Sequence, residues 1–150
     1  MHITIGFSGA AGMGVNTTGL FLGRMLAEWG YNLWIDKEYA SIIKGDNNSI
    51  FLSISDQKER ILSRKVDLFI AFDDYAITKN KEIYDLKHII NIKGQAKTYL
   101  NTFAFGVCLR IANIPLDEGK SVIKHYIKEQ YRADNMVDLE AGFEYQIENC

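Results

Sequence analysis

The glycines of the stretch FSGAAGMGVNTTG, which runs from Phe7 to Gly19, form the first pattern that could do chemistry. Gly9, Gly12 and Gly14 stand between an apolar run and a segment with helical spacing. Glycines at such a junction let the backbone turn tightly and expose N–H groups at the start of a helix, where an anion is attracted. The pattern favours a loop that binds a phosphate or another anion. The plainer alternative is a loop that only lets the first helix pack closely on the strand.

Two nucleotide-binding templates fit this loop incompletely. A triphosphate-binding P-loop carries a lysine after its last glycine, whereas Val15 follows Gly14 here, and this disfavours a triphosphate hydrolase. The dinucleotide fingerprint G-x-G-x-x-G is met by Gly9, Ala11 and Gly14 with one substitution, and Asp36 stands about where a ribose-binding carboxylate would. A free-standing nicotinamide or flavin dinucleotide module therefore stays open as an alternative.

Two adjacent carboxylates, Asp73 and Asp74, follow a run that is predicted to be a buried strand. Ligand-facing loops of open α/β sheets lie at such strand ends. The pair could bind a metal or cap the next helix, and capping is the favoured interpretation.

Histidines and cysteines give weaker signals. No serine, cysteine or carboxylate stands at a spacing that suggests a triad with His2, His88 or His125, so these are interpreted as structural or surface residues. Cys108 and Cys150 are too far apart for a C-x-x-C metal or redox motif. Cys108 lies in an apolar run and is predicted to be a small core residue.

Five short β-type runs must position these residues. Most are too apolar for clean alternation, as in strands buried on both faces of a helix-covered sheet. The runs are His2 to Phe7, Tyr31 to Asp36, Ser49 to Ser55, Val66 to Phe72 and His88 to Ile92. Because the segment from Lys37 to Asn48 is short for a crossover helix, the third run is predicted to be antiparallel.

Helical spacing appears between the first two runs and again near the C-terminus. Gly30 ends the first helix, whose apolar stripe is formed by Val15, Thr18, Leu22, Met25, Leu26 and Trp29. Later helices are predicted over Thr102 to Ala112 and, after Pro115, over LDEGKSVIKHYIKEQY with Lys128 near its end. The alternation predicts an α/β fold, a three-layer α/β/α sandwich with a Rossmann-like, mostly parallel sheet.

Composition excludes several classes of protein. A length of 150 residues and no linker-like stretch predict one domain over residues 1–150. The net charge of -2 gives no footprint for nucleic acid. No apolar run approaches the roughly 18 residues of a membrane helix, so we expect no membrane partner. Two cysteines suit a reducing cytoplasm.

Two motifs in order carry a resemblance to a known family. The loop from Gly9 to Val15 is followed by EYASIIKGDNNS, from Glu38 to Ser49. Together they resemble the gamma domain of 2-oxoacid:ferredoxin oxidoreductases, with its G-x-[GA]-G-Q-G-V loop and E-Y-x-S-x-[IL]-R-G-G-x-x-S segment. Later stretches are similar to further motifs of that domain: Ile50 to Ser55, Val66 to Asp73, Asn101 to Gly106 and Leu139 to Tyr145. Nearly the whole chain is covered.

The resemblance implies a non-catalytic domain of a thiamine diphosphate enzyme that converts a 2-oxoacid and coenzyme A to an acyl-CoA and CO2, passing electrons through iron–sulfur clusters to ferredoxin. Thiamine diphosphate, Mg and the clusters are expected in alpha and beta subunits, with a ferredoxin-like delta subunit as a further candidate partner. The second motif is most similar to enzymes of the 2-oxoglutarate type with gamma fused ahead of alpha, so the chain is predicted to be the N-terminal part of a longer polypeptide. In isolation we expect no turnover and no bound cofactor.

The same resemblance implies a coenzyme A-facing cleft. Its residues are Gly9, Ala10, Ala11, Gly12, Met13, Gly14, Val15, Lys44, Gly45, Asn48 and Ser49. The family prefers glutamine at Met13, arginine at Lys44, glycine at Asp46 and often arginine at Ser53, so a weakened coenzyme A site or a purely scaffolding domain is the other outcome. The 2-oxoacid itself is not specified, because substrate contacts are expected in other subunits.

Overall fold

The computed structural model describes residues 2–39, 47–58 and 64–147, which form two compact units that meet at Lys93 and Gly94 in the sequence. The first unit holds five strands, β1 (His2–Gly9), β2 (Asn32–Glu38), β3 (Asn48–Ser55), β4 (Lys65–Ala71) and β5 (Asp85–Asn91), and two helices, α1 (Val15–Glu28) and α2 (Asp74–Lys81). The second holds α3 (Leu100–Ile111), α4 (Leu116–Tyr126) and α5 (Glu129–Glu144). A single domain over residues 1–150 stays a prediction.

The five strands form one sheet in the order β2-β3-β1-β4-β5. β3 is antiparallel to both of its neighbours, whereas β1, β4 and β5 are parallel to one another. Four strands therefore run in one direction, which confirms the mostly parallel sheet and the antiparallel third strand. A parallel crossover needs about a dozen residues or more, and the connection between β2 and β3 is shorter.

Helices cover both faces of this sheet. α1 lies so close to β3 that a Cβ at Gly19 would come within 2.7 Å of Ile50 Cδ1 and 3.1 Å of Leu52 Cδ1. Phe51 alternates with these residues along the strand and packs in a buried cluster with Ala76 of α2. α1 and α2 are thus on opposite faces, and the predicted three-layer arrangement is confirmed.

The end of α1 also matches its prediction. Gly30 has φ +90°, a conformation that suits glycine. The amide of Tyr31 donates to the carbonyl of Leu26 at 3.1 Å, so the last turn of the helix is closed by the C-terminal motif that glycine permits.

The strand β2 is an edge of the sheet, with Ile35, Asp36 and Lys37 exposed, while its neighbour β3 is almost entirely buried. The insertion of β3 between β1 and β2 therefore moves the second strand of the chain to the periphery.

In the second unit, α3 and α5 touch through their backbones. A Cβ at Gly106 would overlap the carbonyl oxygen of Leu139, and one at Gly142 would overlap that of Phe103. The two glycines come from the family-like stretches at Asn101 to Gly106 and Leu139 to Tyr145, so packing between helices explains why both stretches contain one.

The single helix predicted after Pro115 is wrong, because the structure contains two. α4 ends at Tyr126, and Ile127 has an extended backbone with φ -99° and ψ 132°. Lys128 precedes α5 instead of ending α4. The Nε of Arg132 donates to the Ile127 carbonyl at 2.8 Å, and so satisfies a backbone group at the break.

Replacing Gly23 with alanine is expected to raise the free energy of unfolding by about 0.5–1 kcal/mol. Gly23 lies inside α1, and its Cβ would lie 3.4 Å from Leu52 Cδ2 of β3 and 3.6 Å from Ile35 Cδ1 of β2, which are ordinary van der Waals contacts. Urea denaturation measures the change. The contrasting variant is Gly30→Ala, which should lower the free energy of unfolding because Gly30 has a positive φ. If Gly23→Ala also lowers the free energy of unfolding, the space between α1 and the sheet is too small for a Cβ at this position.

Candidate functional site

The glycine loop connects the end of β1 to the start of α1. Gly12 and Gly14 have φ of +90° and +79°, the left-handed region that residues with a side chain rarely adopt. The amide of Met13 donates to the carbonyl of Ala10 at 3.2 Å and closes a turn. Two of the three glycines therefore allow the tight turn that the sequence predicts.

The third glycine, Gly9, has a packing role. A Cβ at this position would lie 2.5 Å from Phe72 Cβ and 3.2 Å from Met13 Sδ. Gly9 is therefore required by packing against Phe72, which follows β4, and not by close packing of the first helix on the strand, while Gly12 and Gly14 shape the exposed part of the loop.

The start of α1 has the features of an anion-accepting helix end. Gly14 is the N-cap and supplies no side-chain hydrogen bond, and the first turn contains no acidic residue. The loop residues Ala10, Ala11 and Gly12 are exposed. Amide groups and the positive end of the helix dipole favour a negative group at such a place. Val15 is buried, so its side chain belongs to the core and only its backbone amide could face a ligand.

A carboxylate that follows the neighbouring strand β4 accepts a hydrogen bond from the first part of this loop. Asp73 is the N-cap of α2, and its Oδ1 accepts from the amide of Ala76 at 2.8 Å and from Asn47 Nδ2 at 2.9 Å. Its Oδ2 accepts from the amide of Ala10 at 3.0 Å. The predicted capping role is confirmed, and the same side chain also contacts the glycine loop and the start of β3.

Beneath the loop lies a buried polar cluster. The hydroxyls of Ser8 and Ser49 are 2.7 Å apart, and Ser8 Oγ donates to the carbonyl of Asn48 at 3.1 Å. Asn80 Nδ2 donates to Ser8 Oγ at 3.1 Å. The bonds of Ser8 therefore connect β1, β3 and α2, and Ser49, which is fully buried, does not face solvent.

Of the second predicted group, the structure describes Asn48 and Ser49, which pair with Gly9 and Ser8 in the β1–β3 register and so lie next to the base of the glycine loop. Lys44, Gly45 and Asp46 lie outside the described residues. Asn47, which precedes Asn48, is 3% exposed and its carbonyl accepts from Lys79 Nζ at 3.3 Å.

Ser53, a position where the family often has arginine, is remote from the loop. It pairs with Thr4, near the other end of β1, and its hydroxyl lies 3.4 Å from that of Thr4. The substitution therefore does not remove a cation next to the glycine loop, contrary to the expectation from the sequence.

The position of Asp36 does not favour the dinucleotide alternative. In the Rossmann order the second strand lies next to the first, whereas β3 lies between β1 and β2 here. Asp36 pairs with Phe51, which pairs with Gly6. Asp36 therefore lies two strand spacings, about 9.5 Å, from Gly6, and Gly6 itself precedes the loop.

Sequence reasoning missed the contributions of Asn47 and Asn80. Asn47 stands inside the second motif, but nothing in the pattern distinguishes it from Asn48. The reach of Asp73 to Ala10 depends on the parallel pairing of Ser8 with Ala71, which places the residues after both strands at the same edge. A strand register of this kind is not readable from one sequence.

Metal and cluster chemistry does not fit the described part of the chain. Iron–sulfur clusters are held by several cysteine thiolates. Only Cys108 lies in the described ranges, and burial raises the pKa of its thiol. No group of three histidine, cysteine or acidic side chains within those ranges could hold a metal ion. Among the helices described, none is long and apolar enough to cross a membrane.

Comparison of the sequence with known proteins gives consistent relatives. A family model for pyruvate ferredoxin/flavodoxin oxidoreductase matches residues 4–90. A 2-oxoacid:ferredoxin oxidoreductase subunit alpha from Sulfolobus sp is 34% identical over 90 residues, covering 60% of this chain and 14% of that protein. The corresponding subunit from Saccharolobus solfataricus is 32% identical over 87 residues, covering 57% and 14%. The matched segment is thus a small part of these relatives.

Solved structures with a similar fold cover nearly the whole chain. The gamma subunit of a keto/oxoacid ferredoxin oxidoreductase from Geobacter sulfurreducens superposes with a TM-score of 0.75 at 17% identity, covering 96% of this chain and 95% of that one. A 2-oxoglutarate:ferredoxin oxidoreductase from Magnetococcus marinus, solved with 2-oxoglutarate, coenzyme A and succinyl-CoA bound, gives 0.78 at 20% identity, covering 95% and 30%. At these identities the likeness concerns the fold.

Proposed function

Since this chain belongs to the pyruvate ferredoxin/flavodoxin oxidoreductase family, we propose that it is the gamma-type domain of a 2-oxoacid:ferredoxin oxidoreductase. The complete enzyme would oxidise a 2-oxoacid with coenzyme A to an acyl-CoA and CO2 and pass the electrons to ferredoxin. Alpha and beta chains are the proposed partners, either as subunits or as continuations of the same polypeptide. Two cysteines in the sequence support a reducing cytoplasm as the compartment.

The observation that carries the ligand role is the uncapped start of α1 behind the exposed turn at Gly12. Coenzyme A carries phosphate groups, and backbone amides at a helix start suit phosphate without requiring a lysine. In this proposal the loop from Ala10 to Gly14 faces coenzyme A, and Lys44 and Gly45 add to the site on the strength of the resemblance. Ser49, being buried, supports the loop from below.

The chemistry of the 2-oxoacid belongs to other chains in this proposal. Thiamine diphosphate, Mg and iron–sulfur clusters are assigned to the partners, because one buried thiol at Cys108 cannot ligate a cluster. Asp73, the carboxylate that contacts the loop, already accepts hydrogen bonds at both of its oxygens, which suits a structural role. Binding and orienting a substrate are what these residues can do.

Assembly is the first test. The chain should co-purify with thiamine-binding alpha and beta chains, and the complex should oxidise 2-oxoacids only when coenzyme A is present. A chain that never associates with such subunits would overturn the proposal. Calorimetric binding of NADH that Asp36→Ala abolishes would instead support the dinucleotide alternative.

Introducing a carboxylate into the first turn of α1 tests the ligand role. We expect Thr17→Glu to raise the KM for coenzyme A in the assembled complex by about tenfold or more, because like charge in this turn repels phosphate. The fold should not suffer, since acidic residues suit a helix start. Steady-state kinetics at varied coenzyme A measure the effect.

The matched control is Thr17→Gln, which has nearly the same size and no charge. The KM of this variant for coenzyme A should stay within about twofold of the parent value, because a surface substitution that adds no charge usually has a small effect. If both variants assemble and neither changes the KM, the domain acts as a scaffold and the loop does not face coenzyme A.

A further inference from the structure

A single carboxylate accepts hydrogen bonds from three separate parts of the first unit at the carboxyl ends of β1 and β4. Asp73 follows β4, whose parallel pairing with β1 matches Ser8 to Ala71, so the residues two positions further on, Ala10 and Asp73, are level with each other. The chain thus places a helix-capping residue within reach of the glycine loop.

The hydrogen bonds of Asp73 exceed what a helix cap requires. A cap needs one acceptor for an amide of the first turn, and Oδ1 provides it to Ala76. Oδ2 accepts from the amide of Ala10 at 3.0 Å. The two oxygens therefore have separable tasks, one at α2 and the other at the loop.

The neighbouring residue provides an internal comparison. Asp74 is also at this edge, but it accepts from Lys93 Nζ at 2.7 Å and from Asn91 Nδ2 at 2.8 Å, in an exposed ion pair that connects α2 to the end of β5. No hydrogen bond between Asp74 and the glycine loop is present in the described contacts.

The Ala10 peptide is held on both sides. Its amide donates to Asp73 and its carbonyl accepts from Met13 at 3.2 Å, so the direction in which the loop leaves β1 is fixed before the left-handed residues Gly12 and Gly14. The side chain of Asn47, which directly precedes β3, donates to the same carboxylate at 2.9 Å. The glycine loop and the second motif therefore share one anchor.

We propose that Asp73 is a positioning residue for the coenzyme A-facing loop, acting through the Ala10 amide and Asn47. This inference rests on the proposed function for the identity of the ligand. The carboxylate does not touch the ligand; it fixes the loop so that the amides at the start of α1 stay aligned.

The test is Asp73→Asn in the assembled complex with alpha and beta chains. Asparagine has the shape of aspartate, and its one carbonyl oxygen can keep the bonds to Ala76 and Asn47, but the NH2 group that replaces Oδ2 cannot accept from Ala10. We expect hydrogen–deuterium exchange of residues 8–14 to accelerate about tenfold, as for loss of one charge-assisted hydrogen bond. The KM for coenzyme A should rise several-fold, because misalignment of the loop amides outweighs the removal of a carboxylate charge that three N–H donors already offset. The kcat at saturating coenzyme A should stay within about twofold, the mark of a lost binding contribution.

Two further variants make the result unambiguous. Asp74→Asn should leave the exchange of residues 8–14 and the KM unchanged. Asp73→Ser retains a capping hydroxyl for α2 but cannot reach Ala10, so it should reproduce the loop effect while residues 74–81 stay protected.

The remaining outcomes distinguish the positioning role of Asp73 from the assignment of the loop to coenzyme A. Unchanged exchange of residues 8–14 in both Asp73 variants would overturn the positioning role. Faster exchange with an unchanged KM would support the anchor and contradict the assignment of the loop to coenzyme A.

Discussion

Replacing Gly142 with alanine is expected to lower the free energy of unfolding by about 3 kcal/mol or more, the upper range for overpacking. The added Cβ would overlap the carbonyl oxygen of Phe103 in the facing helix. A backbone atom cannot rotate away as a side chain can, so α3 and α5 would have to separate. Because domains are stable by only about 5–15 kcal/mol, such a loss should be visible at room temperature.

A graded series of the same substitution isolates the cause. Gly106→Ala should behave like Gly142→Ala, since its Cβ would overlap the carbonyl oxygen of Leu139. Gly119→Ala meets the end of the Leu109 side chain, which can move, and should cost less. Gly23→Ala should be stabilising by about 0.5–1 kcal/mol, as its ordinary van der Waals contacts predict. Urea denaturation followed by circular dichroism, with hydrogen exchange of residues 100–111 and 129–144, gives the order; equal effects at all four sites would contradict the backbone-contact explanation.

Replacing Asp138 with alanine is expected to lower the free energy of unfolding by about 3 kcal/mol, because it removes a charged acceptor from three hydrogen bonds. Asp138 is fully buried in α5. Its Oδ1 accepts from the amide of Lys97 at 2.8 Å, and its Oδ2 from those of Thr98 and Tyr99 at 2.9 and 2.6 Å. Alanine would leave all three amides without this acceptor, and Tyr99, the N-cap of α3, makes no side-chain cap of its own.

The isosteric and exposed variants complete this second test. Asp138→Asn keeps one carbonyl oxygen and should cost about half as much as alanine. Asp134→Ala, one turn earlier and exposed, should change the free energy of unfolding by no more than about 0.5 kcal/mol. Thermal and urea unfolding of the three variants provide the comparison. A cost for Asp134→Ala as large as that for Asp138→Ala would show that loss of charge in α5, and not of the three hydrogen bonds to Asp138, is responsible.

Strands and the first helix could be predicted because their apolar residues follow simple periods. In β1 the apolar residues Ile3, Ile5 and Phe7 alternate with polar or small ones, β4 contains a continuous apolar run from Leu68 to Ala71, and the stripe of α1 recurs at spacings of three and four. The antiparallel direction of β3 followed from the length of one connection. Capping by Asp73 was predictable because a carboxylate before a polar segment suits a helix start.

Other features depend on contacts that one sequence does not reveal. α2 is a polar helix of eight residues with only Ala76 and Asn80 buried, too short for a recognisable stripe. The break at Ile127 contains neither glycine nor proline, and its carbonyl is satisfied by Arg132 from the next helix. Asp138 looks like any surface acid until the amides it accepts from are known.

The candidate site also contains some features that the sequence predicts and others that depend on tertiary contacts. Local backbone chemistry predicted the turn at Gly12 and Gly14, and it missed that Gly9 serves packing against Phe72. The anchor at Asp73 and the burial of Ser49 follow from strand order. Coenzyme A as the ligand comes from the resemblance, and no local feature of the loop specifies it.

The peripheral position of β2 has a consequence for the behaviour of the chain at high concentration. An uncovered strand edge is a template for pairing with other chains, and natural proteins discourage this with charged side chains. β2 ends in Asp36, Lys37 and Glu38, three consecutive charges on such an edge. The inserted strand β3 thus makes these residues a barrier to aggregation. Replacing the two exposed ones, Asp36 and Lys37, with neutral residues should increase light scattering of concentrated protein before it changes the unfolding midpoint, whereas Glu38 also accepts from the Tyr84 hydroxyl at 2.6 Å.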